Sequence, residues 1–141
     1  MANLDFPGQT GGPAQALIAA AQDLTANWVD LGDELHVQGA ANIALWVELD
    51  INDSVNARVR MLAKWESGGA NEYVLPIYST AADLVHVEAE YVEFNDDVDQ
   101  SMILSWELDG VVPYVQFQVQ AGTVGATAGQ IDSAYVTTGV Y

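Results

Sequence analysis

Ile43, Leu45, Val47, Leu49 and Ile51 alternate with Asn42, Ala44, Trp46, Glu48 and Asp50. A period of two puts one set on each face of an extended chain, which is the pattern of a half-buried β-strand. Val59, Met61, Ala63 and Trp65 repeat it against Arg58, Arg60, Leu62 and Lys64. Further strands are expected at 72–78, 84–94, 101–108, 111–121 and 131–138, with the Ala-rich segment 14–22 read as a strand or, alternatively, a short helix. Gly68-Gly69, Asn95-Asp96-Asp97, Asp109-Gly110 and the stretch 122–130 are the breakers between them. Eight or nine short strands at this spacing predict an all-β fold, an antiparallel β-sandwich of jelly-roll type. A β-barrel is the alternative that periodicity does not separate from it. A length of 141 residues suits one core, so residues 14–141 are read as a single domain. Residues 1–13, broken by Pro7, Gly8, Gly11, Gly12 and Pro13, are read as an extended N-terminal arm. The expected core is Leu45, Val47, Leu49, Val59, Met61, Trp65, Leu104, Trp106, Val115 and Phe117.

Two hairpins follow from placing apolar sets side by side, since a slip of one residue would turn a whole set outwards. The first pairs Leu49 with Val59 and Val47 with Met61, which sets Asp50 opposite Arg58 and Glu48 opposite Arg60. The second turns at Asp109-Gly110, a pair suited to a two-residue type I′ turn, and sets Leu108 against Val111 and Leu104 against Val115. Pro113 cannot donate to a ladder, so its strand is expected at an edge or bulged.

Twenty carboxylates stand against Arg58, Arg60 and Lys64, for a net charge of −17. That balance disfavours nucleic acid and anionic membranes as partners, because both are met by clustered Lys and Arg. The absence of Cys removes disulfides, thiol catalysis and thiolate metal sites. No apolar run approaches the roughly 20 residues of a membrane span, and no signal peptide is visible. A scattered acidic surface keeps a chain hydrated, and multimolar salt screens its self-repulsion, the Debye length being about 3 Å at 1 M. This is the composition expected of a halophilic protein, with docking on a basic partner as the alternative.

Chemistry-bearing patterns are sparse. His86 alternates with Glu88 and Glu90, a row able to bind a metal or move a proton, though three ligands along one strand rarely converge on one ion. His36 has no evident acid–base partner and is placed in a turn. No Ser–His–Asp order, HExxH, P-loop or dinucleotide fingerprint is present, so the expectation is a non-catalytic chain without a resident cofactor. Asp50, Asn52 and Asp53, and Asn95, Asp97 and Asp99, offer hard oxygen ligands for Ca²⁺ or another cation; a solvating role for these loops is the more ordinary reading. Asn52-Asp53-Ser54 is also a formal glycosylation sequon. Candidates for protein contacts are Trp46 with Leu62, expected side by side on an outer face, and Leu4 with Phe6 in the arm.

The segments LTANWVDLGDELHVQGAANIALWVELDINDS, EYVLPI and PYVQFQVQAGTVGATAGQIDSAYVT, together covering roughly residues 20–138, resemble small β-sandwich structural proteins of tailed viruses. With the acidic surface, the resemblance implies a virion protein of a haloarchaeal virus, located in the virion. Its expected role is capsid decoration as a homo-oligomer on the major capsid protein. A neck or tail component, and a carbohydrate- or cell-surface-binding module using exposed aromatics, are the alternatives. The charge leads to one direct expectation. Melting temperature should fall as salt is lowered from molar to millimolar, and a flat curve in thermal unfolding would leave the acidity to be explained by a partner.

Overall fold

The computed structural model describes residues 14–51, 56–70, 72–75, 79–80, 84–87, 91–94, 100–122 and 129–139. The arm with Leu4 and Phe6, and Asn52, Asp53, Ser54, Glu88, Glu90, Asn95, Asp97 and Asp99, lie outside the described residues.

In chain order the strands are β1 (Gln15–Ala16), β2 (Gln22–Asp23), β3 (Val29–Asp30), β4 (Leu35–His36), β5 (Asn42–Asp50), β6 (Ala57–Lys64) and β7 (Glu72–Val74). They continue with β8 (Ser79–Thr80), β9 (Leu84–Val87), β10 (Val92–Phe94), β11 (Gln100–Glu107), β12 (Tyr114–Ala121) and β13 (Gln130–Gly139). No helix occurs among the described residues. All pairings are antiparallel and make two sheets. The β5 sheet runs β1-β13-β5-β11-β8, with β2 also on β13, and the β6 sheet runs β3-β12-β6-β10-β9, with β4 on β12 and β7 on β6.

Four pairs define the wiring: β5 with β13, β6 with β12, β8 with β11, and β9 with β10. They nest, as in one long antiparallel ribbon folded over into two layers, which is the jelly-roll arrangement. β7 lies beside β6, and the N-terminal run adds an edge to each sheet: β1 and β2 along β13, then β3 and β4 along β12. With β1 and β2, and β3 and β4, each taken as one interrupted edge strand, the thirteen strand segments among the described residues make eleven strands rather than eight or nine. The segment 14–22 thus belongs to an interrupted edge strand. The single strand expected over 84–94 is two, since Val87 and Val92 are antiparallel partners.

The crossing of the N-terminal run from one sheet to the other closes one side of the sandwich. Leu17 and Leu24 donate backbone hydrogen bonds to Ala134 and Gly129, while Leu31 and Val37 donate to Phe117 and Pro113. All four side chains are buried. Gly32 makes the tight approach possible: its φ is +71°, and a Cβ there would stand 2.5 Å from the Leu17 carbonyl oxygen.

Neither expected hairpin forms. β5 and β6 lie in different sheets, so Leu49 pairs with Gln100 and Ile131, while Val59 pairs with Val92 and Val119. The apolar sets face one another across the interior instead of lying side by side, and alternation is satisfied equally by both arrangements. Asp109-Gly110 does form the tight turn. Both have positive φ, 55° and 73°, as a type I′ turn requires, and Val111 N–H donates to the Leu108 carbonyl at 3.2 Å. The strands on either side then diverge, Leu104 pairing with Leu45 and Thr80 and Val115 with Ala63 and Leu35. Backbone bonds from Leu108, Asp109 and Gly110 to Ala40 and Ala41 hold the turn against the start of β5 instead of leaving it to hairpin pairing. Pro113 stands one residue before β12, which is an inner strand, so the missing N–H costs the ladder nothing.

The core follows the alternation, with Trp106 against Phe117 at 5.3 Å between ring centroids. Trp65 departs from it and is 55% exposed. β6 ends at Lys64, so the next residue no longer follows the strand's inward–outward alternation. Truncating Phe117 or Trp106 to Ala should therefore cost about 3–5 kcal/mol in denaturant unfolding, and Trp65→Ala within about 1 kcal/mol.

Candidate functional site

The two outer faces of the sandwich differ in chemistry. On the β6 sheet, the cations at alternating positions of β6 share the outer face and are each engaged. Arg58 makes an ion pair with Glu93, donates to Gln120 Oε1 at 3.2 Å, and stacks over the Tyr91 ring at 4.9 Å. Arg60 donates twice to Gln118 Oε1, at 2.9 and 2.6 Å, and lies over the Trp28 ring at 4.2 Å. Gln118 passes the network to Asp30 Oδ1 at 2.9 Å. The predicted partners Asp50 and Glu48 are replaced by residues of β10 and β12 because those strands, and not β5, flank β6.

Glu34, between β3 and β4, reaches across β12 to Lys64 Nζ at 3.2 Å. It also accepts from Ser67 Oγ at 2.8 Å and from Gly68 N–H at 3.1 Å. Leu62 and Gln116 lie on this same face, and Gln116 Nε2 donates to the Gly32 carbonyl at 3.0 Å. Leu62 is 4% exposed and in the other sheet from Trp46, so the expected Trp46–Leu62 contact surface does not exist.

The β5 sheet presents a different surface. Tyr135, Trp46 and Ile103 are direct cross-strand partners on β13, β5 and β11, each 40–42% exposed. Ser133, Glu48 and Ser101 form the row on one side of them, and Thr137, Ala44 and Ser105 the row on the other. Trp46 Nε1 donates to Thr137 Oγ1 at 3.2 Å, which fixes the indole across the sheet. These nine outward positions hold one carboxylate, Glu48, in a chain that carries 20. A shallow depression of about 250 Å³ lies over the row of Trp46, Tyr135 and Ile103. Depletion of charge with aromatic enrichment is the composition of an interface core. A smaller depression of about 150 Å³ at one end of the sandwich is lined by Trp65, Tyr73, Val111 and Pro113, beside the charged Lys64.

Trp46 is thus an outer-face residue as its alternation indicates, but its neighbours are Tyr135 and Ile103. Tyr135 is legible as an outward residue between Ala134 and Val136, whereas Ile103 is hidden in the unbroken apolar run Met102-Ile103-Leu104. His36 lies in β4 and not in a turn, with its ring stacked on Tyr114 at 4.9 Å. His86 lies in β9 opposite Glu93. Of the cation-loop candidates, Asp50 closes β5, half-buried, with Gln130 as its pairing partner. Among the described residues no group of three or more His, Asp or Glu converges on a possible metal position.

Glu34 gives the β6 face a pH dependence. Burial acts to raise its pKa, but the hydrogen bonds from Ser67 and Gly68 and the Lys64 ammonium outweigh burial and hold it below the ordinary value. Ionised Glu34 therefore stabilises the fold above the usual carboxylate range, and that contribution is lost as pH falls through the lowered folded value. Glu34→Gln should cost about 1–3 kcal/mol at neutral pH and progressively less in acid, measured by denaturant unfolding across pH. No family model, curated protein or solved structure matches this chain, so the reading of its faces rests on their geometry.

Proposed function

We propose that this chain is a non-catalytic structural protein of a virion, a capsid decoration subunit that assembles through the outer face of its β5 sheet. The observation that carries the contact face is the charge-depleted row Tyr135–Trp46–Ile103 in a chain of net charge −17. An acidic protein that bound only by long-range attraction to a basic partner would present carboxylates at its contact surface. This face presents rings and hydroxyls, which suit close packing against another surface. The virion assignment comes from the resemblance of residues 20–138 to structural proteins of tailed viruses, and the major capsid protein is the partner it implies. β1 lies at an edge of the same sheet, and the contact role proposed for Leu4 and Phe6 rests on the sequence alone.

A neck or tail component would use the same face in far fewer copies. Mass spectrometry of purified particles distinguishes the two: decoration predicts copy numbers in proportion to the major capsid protein, and absence from particles overturns the proposal. Trp46 beside Tyr135, with Glu48 in the next row, also has the elements of a sugar platform. Glycan binding by the monomer, abolished by Trp46→Ala, would favour that reading instead.

A further inference from the structure

The register of the β5 sheet constrains what can cover it. We infer that the occupant is the same face of a second copy, with a two-fold axis running along the row Tyr135–Trp46–Ile103. This rests on that face being the contact surface proposed above, and on nothing about particles.

Charge is the first constraint on the occupant. Around Trp46 the only carboxylate is Glu48, and no cation stands in the three rows. Such a face offers a basic partner a single carboxylate at its centre, and lets two acidic chains meet without bringing many carboxylates together. Two identical sheets stacked face to face can be related by an axis in the plane between them, either along the strands or across them. An axis along β5 would lay Glu48 over its own copy, a like-charge contact in a closing interface. An axis across the strands, along the Trp46 row, exchanges the rows on either side. Glu48 then lies over Ala44 of the second copy, flanked by the hydroxyls of Thr137 and Ser105, and Ser133 lies over Thr137. The two Glu48 carboxylates are set about 14 Å apart along the strands, well beyond the screening length of about 3 Å in molar salt.

Size sets the strength. The three long strands β13, β5 and β11 at about 4.8 Å spacing, with the two-residue pieces β1, β2 and β8 beside them, give a face of roughly 500 Å², below the roughly 800 Å² each partner contributes to a standard interface and in the range of a weak, salt-dependent one. The aromatic row lies at its centre. Glu107, Asp132 and Asp50 stand towards its margins, where an interface is polar.

Sedimentation of the full chain tests the inference, with near-ultraviolet circular dichroism confirming the native fold of each variant. The wild type should dimerise in molar KCl and dissociate towards millimolar salt. Ala44→Glu, which faces Glu48 of the other copy, should weaken the dimer at least about tenfold, and Ala44→Lys should tighten it. The double variant Ala44→Glu with Glu48→Lys should recover the dimer. A strand-parallel axis gives the opposite result for Ala44→Lys, because the lysines would then meet, and this outcome overturns the proposed axis. A folded wild type that stays monomeric in molar salt at high concentration overturns the second copy as occupant. If that monomer still joins particles and Trp46→Lys abolishes joining, the contact face survives and its partner is a different chain. A dimer indifferent to every substitution at Ala44, Trp46 and Glu48 overturns both.

Discussion

Trp106 of β11 meets Phe117 of β12 across the interior, and the organisation of the sandwich depends on that kind of contact more than on any lateral one. β11 and β12 are consecutive strands joined by a tight turn, yet they belong to opposite sheets. β5 and β6 are separated in the same way. Each crossing puts two inward apolar sets face to face, so hydrophobic burial acts between layers while hydrogen bonds act within them. The lateral partners come from far along the chain, β13 for β5 and β12 for β6. Such a fold relies on long-range pairing, and folds of that kind form slowly because loop closure must precede the reward.

The same separation of layers sets the electrostatics. Both arginines and the lysine sit on one strand and on the outer side of one sheet, where Glu93, Gln120, Gln118, Trp28 and Glu34 engage them. The cations are thereby used within the β6 face, and no described arginine or lysine stands on the outer side of the β5 sheet. One face is internally saturated and polar; the other carries the aromatic row, with one carboxylate in the nine positions around it. A chain with few cations gains by placing them where they also fasten the N-terminal run, as Lys64 does on Glu34 and Arg60 over Trp28.

Alternation in the sequence reveals which residues point inwards, because period two is a property of one strand and needs no knowledge of its neighbours. Val47, Met61, Trp106 and Phe117 are legible for that reason. Neighbours are not legible, since Leu49 and Val59 satisfy the same pattern whether they pair within a sheet or pack between sheets. That ambiguity misplaced Arg58, Arg60 and Leu62 together. Trp65 departs for a different reason, since the alternating pattern runs one residue beyond the end of β6 at Lys64. The aromatic face was half legible: Trp46 and Tyr135 are both outward by alternation, but only the register of β13 on β5 sets them side by side.

The central claim is that the β5 face, and not the end of the sandwich, is covered when the chain assembles. Hydroxyl-radical footprinting of the full protein, comparing the dispersed state at low salt with the assembled state in molar salt, reads this directly, because each face carries its own exposed Trp and Tyr. Trp46 and Tyr135 should lose reactivity on assembly while Trp65 and Tyr73 keep theirs. Protection of Trp65 and Tyr73 with Trp46 and Tyr135 unchanged would contradict the account.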